Sequence, residues 1–231
     1  MYIIYLSGID GCGKTTQAQL LVDRLKQSGL SAEYRWLRWE PSIVPLINRI
    51  KRLTGKPVST GSSRDHVVNT ENIHHGKWSK LKKRLFSSAL FRKLWISYAT
   101  RDYFRNYRKA SQKWGGSKYV ILDRYLLDFT IDQSLNLSIS PDKFQKLIAE
   151  SALADMMVPD LSVFVDLPAE VGYKRKLDGT PLKYLEEREN IYRNIAVEGP
   201  VLHVDGTQSA EDIHNQITEW VFRNIGYNNE H

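Results

Sequence analysis

Cysteine is nearly absent from this 231-residue chain, because Cys12 is the only one. No intramolecular disulfide can form, so a disulfide-stapled scaffold is excluded and a reducing compartment is indicated. The composition is 42% hydrophobic and 11% aromatic, which is enough to build a core without such staples. Intrinsic disorder is therefore excluded for most of the chain, and the length predicts one domain.

Long hydrophobic runs are absent as well. Residues 2–9 form an uncharged apolar stretch far shorter than the roughly 20 residues that a helix needs to cross a bilayer. The N-terminus has neither a basic region nor a small-residue cleavage site, so no secretory signal is expected. The sequence therefore predicts a cytoplasmic protein.

Acidic residues are scarce in the middle of a chain whose net charge is +7. Residues 77–113 contain 12 basic residues and one acid, Asp102. Such asymmetry points to an anionic partner, which could be nucleic acid, an anionic membrane or a polysaccharide. An amphipathic helix with a solvated basic face explains the same pattern, and we favour this second interpretation.

Short apolar runs alternate with helical patterns along the chain. Strands are predicted over 2–6, 32–37, 119–122, 161–165 and 201–204. Helices are predicted over 15–27, 43–53, 81–113, 169–177 and 182–195, with further ones beginning at Pro141 and after a capping-box pattern at Ser209. This alternation predicts a parallel sheet with helices on both faces.

One glycine-rich segment identifies the chemistry. Residues 8–15 read Gly-Ile-Asp-Gly-Cys-Gly-Lys-Thr and match G-x-x-x-x-G-K-[ST], with a predicted strand before them and a helix after them. The glycines let backbone N–H groups surround a phosphate, and the helix N-terminus adds its positive end. Lys14 is expected to reach the β- and γ-phosphates of a nucleotide, and Thr15 to ligate Mg²⁺.

Charged residues follow two other predicted strands. Asp123 ends an apolar strand at the sheet edge where open α/β sheets bind ligands, so its carboxylate can hold Mg²⁺ through water. Arg124 and Arg38 lie at neighbouring strand ends and can clamp an acceptor phosphate. The alternative interpretations are a carboxylate that caps a turn and a solvated arginine.

Several segments together resemble the thymidylate kinase family. They are the loop Gly8 to Thr16, Arg38-Trp-Glu40-Pro41, Ala99-Thr-Arg101, Asp123-Arg124-Tyr125, the strand 161–165 with its flanking residues, and Asp205-Gly-Thr207. The similarity runs from Met1 to about Trp220 and is weak over 42–96. It implies an α/β P-loop NTPase fold with a five-stranded parallel sheet of order 2-3-1-4-5.

The resemblance also implies a single kinase domain over 1–226, with a frayed tail over 227–231. An acceptor-binding helical segment would cover about 42–113 and a lid about 174–190. The expected reaction is transfer of the ATP γ-phosphate, with Mg²⁺, to a monophosphate acceptor, with dTMP as the first choice. Homodimer formation is typical of the family.

Site residues are carried over by position. The implied ATP-binding residues are Gly8, Gly11, Cys12, Gly13, Lys14, Thr15, Thr16 and Thr207. The implied acceptor-binding residues are Asp10, Arg38, Arg101, Arg124, Tyr125 and Asp132, and the metal ligands are Thr15, Asp123 and Asp166. The implied catalytic residues are Lys14, Asp10, Arg124, Arg175 and Arg188, of which the last two are lid cations whose order stays open.

Three positions depart from the family pattern. Asp128 replaces a usual Ser, Asp132 replaces a Tyr that helps to exclude a ribose 2′-hydroxyl, and Ser97 stands in the register of a stacking Phe. A carboxylate near the sugar would accept a hydrogen bond from a hydroxyl. Two alternatives therefore stay open: a related enzyme that acts on a ribonucleotide, sugar phosphate or lipid-linked phosphate, and a nucleotide-dependent binding protein that uses the basic helices.

Overall fold

A parallel five-stranded sheet forms the centre of the fold. The computed structural model describes residues 1–53, 86–114, 116–176, 180–195, 197 and 199–227. The strands are β1 (Tyr2–Ser7), β2 (Ala32–Trp36), β3 (Tyr119–Asp123), β4 (Leu161–Asp166) and β5 (Val201–Asp205). All neighbours pair in parallel in the order β2-β3-β1-β4-β5, which confirms the predicted fold class and strand order.

Helices cover both faces of this sheet. The helices of the described residues are α1 (Lys14–Gln27), α2 (Val44–Leu53), α3 (Ala89–Ser111), α4 (Leu126–Leu137), α5 (Pro141–Ala149), α6 (Ala169–Arg175), α7 (Leu182–Asn194) and α8 (Ala210–Asn224), with a 3₁₀ helix at Ala152–Asp155. Helix α1 packs on β1 to β3, and α8 packs on β5. On the other side, Tyr5 of β1 bonds to Asp128 of α4, and the Phe164 ring of β4 stacks on Tyr192 of α7 at 5.9 Å.

The central strands are apolar on both faces because both faces are covered. Every residue of β3 is buried, as are all but the first of β1 and all but the last of β4. This pattern is typical of parallel sheets. The carboxyl ends of β1, β2 and β3 lie side by side, since Leu6 pairs with Asp123 and Trp36 pairs with Asp123 as well.

The chain divides into two compact units. The first comprises Met1–Arg38, Ala110–Gln145 and Met157–His231, and it contains the whole sheet. The second comprises Trp39–Lys109 and Lys146–Met156. A single kinase domain over 1–226 stays a prediction.

A buried carboxylate organises the second unit. Asp102 of α3 accepts hydrogen bonds from the Trp39 indole at 3.1 Å and from the Ser42 backbone at 2.9 Å. Arg105 bonds to its other oxygen at 2.6 Å. The only acid among the basic residues 77–113 therefore fixes the start of the proposed acceptor-binding segment to α3.

Several predicted features lie outside the described residues. They are residues 54–85 of the proposed acceptor segment, 177–179 of the proposed lid and 228–231 of the tail. No helix in the described part of the chain is long and apolar enough to cross a membrane.

Candidate active site

The glycine-rich loop lies between β1 and α1, where the sequence predicted it. Gly8, Gly11 and Gly13 have φ angles of 143°, 85° and 90°, which side-chain-bearing residues rarely adopt. A Cβ atom at Gly11 would lie 2.7 Å from the Gly172 carbonyl oxygen of α6. Glycine is therefore required at Gly11 both by the turn and by the contact of the loop with α6.

Lys14 begins α1 and turns its side chain back into the loop. Its Nζ is buried, donates to the Ile9 carbonyl at 3.0 Å and lies 3.9 Å from the Asp10 carboxylate. Cys12 is buried as well, and burial raises the pKa of its thiol. Cys12 thus contributes its backbone to the loop, whereas Lys14 places a positive charge inside it.

Thr15 and Asp123 bring together two oxygen ligands of the type that Mg²⁺ prefers. The Thr15 hydroxyl donates to Asp123 Oδ2 at 2.5 Å, and the Tyr34 hydroxyl donates to the same oxygen at 3.0 Å. Asp123 Oδ1 is buried and has no hydrogen-bond partner among the described residues. Mg²⁺ commonly binds one or two protein oxygens together with phosphates and water, so these residues fit the ion.

Asp166, the third predicted metal ligand, has a different partner. Arg193 of α7 binds its carboxylate through Nε at 2.9 and 3.1 Å and through Nη2 at 2.8 Å. Arg193 also pairs with Glu189, which caps α6 by accepting from the Ala169 backbone at 2.7 Å. Asp166 thus anchors α7 to β4, and its role as a metal ligand stays a prediction.

Arg124 lies between two carboxylates. Its backbone is left-handed at φ 72°, and its side chain is buried. Nη2 pairs with Asp10, and Nη1 donates to Asp128 at 3.2 Å. Burial raises the pKa of Asp10, but Arg124 and Lys14 outweigh it and hold that pKa well below its ordinary value. Both groups are therefore charged at neutral pH.

Arg188 is the buried cation of the proposed lid. Nη2 pairs with Asp132, and the guanidinium lies 4.4 Å from the centre of the Tyr184 ring. Nε and Nη1 are buried and have no hydrogen-bond partner within the described residues. Burial lowers the pKa of Arg188 to about 10, and the charges of Arg124 and Arg38 add to this effect.

Arg38 completes the cluster, because its Nη2 lies 3.8 Å from Asp132. The structure thus brings together six predicted site residues from separate parts of the sequence. They are Asp10, Lys14, Arg38, Arg124, Asp132 and Arg188.

Other predicted residues lie elsewhere in the fold. Arg175 is exposed, and its Nη1 donates to the Gly206 carbonyl at 2.9 Å, beside Thr207. Thr207 bonds to Asp205 through its amide at 2.8 Å and through its hydroxyl at 2.7 Å. Arg175, at the end of α6, therefore contacts the loop after β5, which the resemblance places near adenine.

Three further predicted residues are Tyr125, Thr16 and Arg101, of which Tyr125 and Arg101 have hydrogen-bond partners of their own. The buried Tyr125 directly precedes α4, and its hydroxyl donates to the Met157 carbonyl at 2.9 Å. Thr16 is exposed in the first turn of α1. Arg101 of α3 is exposed and bonds to Ser97. Contacts of Tyr125 and Arg101 with an acceptor stay predictions.

Sequence reasoning missed the tyrosines that support the arginines. Tyr184 lies under Arg188, and the hydroxyls of Tyr5 and Tyr192 bond to Asp128. The i,i+4 spacing of Tyr184 and Arg188 on one helix was a usable signal. No sequence signal marked Tyr5 and Tyr192, because only the tertiary fold brings them into contact with Asp128.

Comparison with known proteins identifies the family. No protein-family model matches the chain. The chain is 30% identical over 234 residues to a protein of Thermococcus onnurineus named as a probable thymidylate kinase, covering 96% of this chain and 97% of the relative. It is 25% identical over 224 residues to a thymidylate kinase of Fervidobacterium nodosum, covering 94% and 96%. A thymidylate kinase of Mycoplasmopsis agalactiae is also 25% identical, over 238 residues. The chain therefore belongs to the thymidylate kinase family and is a phosphotransferase of the nucleoside monophosphate kinase type.

Proposed function

We propose that this enzyme transfers the γ-phosphate of ATP to the phosphate of dTMP, with the help of Mg²⁺. The observation that carries the proposal is the pair of buried arginines, Arg124 and Arg188, close to the Lys14 loop. Phosphoryl transfer needs charge compensation around the moving group more than covalent chemistry. A buried guanidinium with two unused donors, as in Arg188, meets that need.

Each cation has a separate task in this proposal. Lys14 and the loop backbone of Gly8, Gly11, Cys12 and Gly13 bind the ATP phosphates. Arg124 and Arg38 hold the acceptor phosphate, and Arg188 offsets the charge that develops on the transferred group. We assign the lid role to Arg188 rather than Arg175, because Arg188 is buried among the site residues and Arg175 bonds to the loop after β5.

Asp10 acts as a carboxylate in this arrangement. Its lowered pKa keeps it ionised, so it orients Arg124 and does not hold a proton at neutral pH. Its Oδ2 is buried without a hydrogen-bond partner among the described residues. In this proposal that oxygen accepts a hydrogen bond from a hydroxyl of the acceptor sugar.

Thr15 and Asp123 would hold Mg²⁺. When bound, the ion supplies positive charge to the β- and γ-phosphate oxygens. The contribution of this chain is the hydroxyl of Thr15 and the unpaired Oδ1 of Asp123. Tyr34 fixes the carboxylate by donating to its other oxygen.

The acceptor is argued from the relatives and from Asp132. The similar proteins from three organisms are named thymidylate kinases. The case for a ribonucleotide, a sugar phosphate or a lipid-linked phosphate rests on Ser97, on the basic segment 77–113 and on a hydroxyl that would bond to Asp132. Its carboxylate instead pairs with Arg188 and lies near Arg38. We therefore favour dTMP.

The test is ADP release from ATP and Mg²⁺ with dTMP, dUMP, UMP, CMP, AMP, GMP and a sugar phosphate as acceptors. Lys14→Ala serves as the inactive variant. Lys26→Ala, which changes an exposed lysine of the same helix, serves as the matched control. Release stimulated by dTMP above the other acceptors supports the proposal. Turnover of UMP or the sugar phosphate without dTMP turnover contradicts it and favours the alternative acceptor.

A further inference from the structure

Two aspartates lie one turn apart on α4, and each forms an ion pair with one arginine of the site. Asp128 contacts Arg124, and Asp132, four residues later, contacts Arg188. Residues at i and i+4 lie on the same face of a helix. The two aspartates are also two of the three positions where the sequence departs from the family pattern.

Asp128 is a fully buried carboxylate with four donors. Its Oδ2 accepts from the Tyr5 hydroxyl at 2.5 Å and from the Tyr125 backbone at 2.9 Å. Its Oδ1 accepts from Arg124 at 3.2 Å and from the Tyr192 hydroxyl. Burial raises the pKa of Asp128, but Arg124 and the two tyrosines bring it below its ordinary value. The group is therefore a fixed negative charge.

This fixed charge limits where Arg124 can point. Arg124 bonds to Asp128 through Nη1 and to Asp10 through Nη2, so its guanidinium is held from both sides. Tyr192 belongs to α7, the helix that also carries Arg188. Asp128 thus links Arg124 to the helix of the lid cation.

Asp132 has the corresponding contact with Arg188. It is less buried than Asp128, with a side-chain exposure of 16%, whereas that of Arg188 is 3%. It engages Nη2 and leaves Nε and Nη1 without hydrogen-bond partners among the described residues. Arg124 and Arg38 both repel Arg188, and a nearby carboxylate offsets that repulsion.

We propose that Asp128 and Asp132 are positioning residues that hold Arg124 and Arg188 in place for the acceptor phosphate and the transferred phosphoryl group. This inference rests on the proposed function, because it uses the tasks assigned there to the two arginines. It differs from a purely structural role, in which both aspartates would affect folding alone.

The test compares Asp128→Asn and Asp132→Asn with Asp23→Asn, a matched change at an exposed position of α1. Asp128→Asn is expected to raise the KM for dTMP about tenfold, with the KM for ATP unchanged. Asp132→Asn is expected to lower kcat about tenfold and to leave the KM for ATP near that of the wild type. Asp132→Glu should recover part of that loss.

Stability is measured alongside the kinetics. Asp128→Asn loses charge in a buried network and is the variant at risk of unfolding, whereas Asp132 is partly exposed and its variants test the proposal independently. A lowered melting temperature with kcat and both KM values unchanged would overturn the proposal. So would equal losses of kcat in both variants.

Failure of the proposed function has a different signature. A wild-type enzyme that turns over none of the acceptors contradicts the function alone. Crystal structures of the two variants then test the positioning role. Displacement of Arg124 from Asp10, or of Arg188 from its place over Tyr184, supports it, and unchanged arginines overturn it.

Discussion

Buried charge distinguishes individual site residues from the other arginines of this basic chain. Arg188 is 2% exposed, and only one of its guanidinium nitrogens is paired within the described residues. An unpaired buried donor costs about 1–3 kcal/mol. A protein keeps such a group where a ligand completes its hydrogen bonds, which fits a phosphate-binding role.

Arg188→Ala should therefore reduce kcat about 100-fold, because it removes a charge that stabilises the transition state. Arg188→Lys keeps the charge but loses the planar fork, so a smaller loss is expected. Steady-state kinetics with saturating ATP and dTMP measure both effects.

Arg175→Ala is the comparison for this prediction. The Arg175 side chain bonds to Gly206 in the loop after β5. We therefore expect kcat/KM for ATP to fall at most about tenfold, because the KM for ATP rises. A larger loss of kcat in Arg175→Ala than in Arg188→Ala would reverse the assignment of the lid cation.

At the scale of elements, the strands were predictable and one helix was not. Each predicted strand matches the observed one to within a residue at its carboxyl end, because buried parallel strands read as short apolar runs. Helix α4 was missed. Its buried residues include Asp128, Thr130 and Gln133 as well as Phe129 and Ile131, so its polar residues do not fall on one exposed face.

One part of the candidate site was predictable from sequence and another part was not. The glycine-rich loop is contiguous and could be predicted from sequence, since its chemistry requires a fixed spacing. The contacts of Asp128 join β1, α4 and α7 over separations of up to 123 residues. Such a network depends on tertiary packing and leaves no local pattern.

Helix α6 contacts the glycine-rich loop through Gly172. A Cβ atom at Gly172 would lie 2.8 Å from the Asp10 carbonyl oxygen and 3.2 Å from the Ile9 side chain. Helix propensity alone would make Gly172→Ala stabilising by about 1 kcal/mol. The near atom belongs to the backbone, which cannot move aside as a flexible side chain can. We therefore expect Gly172→Ala to lower the free energy of unfolding by about 1–3 kcal/mol and to raise the KM for ATP.

Urea unfolding measures the stability part of this prediction. Lys174→Ala, at an exposed position of the same helix, should stay within about 0.5 kcal/mol of the wild type. A Gly172→Ala variant more stable than the wild type would show that the loop can move away from α6 without cost.

At the scale of the whole molecule, buried and half-buried titratable groups link stability to pH. Burial and then the charge of Arg24 lower the pKa of His214 in α8 below its ordinary value. The carboxylates of Asp10 and Asp128 also have lowered pKa values, because arginine attraction exceeds the effect of burial. In all three cases the folded protein binds fewer protons than the unfolded chain, so acid favours unfolding.

The free energy of unfolding should therefore fall in two steps as the pH is lowered. The first begins as the pH drops through about 6.5, where an unfolded histidine gains its proton and the folded His214 does not. The second begins below about pH 4, where unfolded carboxylates are protonated while Asp10 and Asp128 stay charged. Urea midpoints from pH 8 to pH 3 measure both. His214→Gln should remove most of the fall in unfolding free energy near about pH 6.5 and keep the fall below about pH 4. If the pH dependence of this variant equals that of the wild type, groups other than His214 cause the first step.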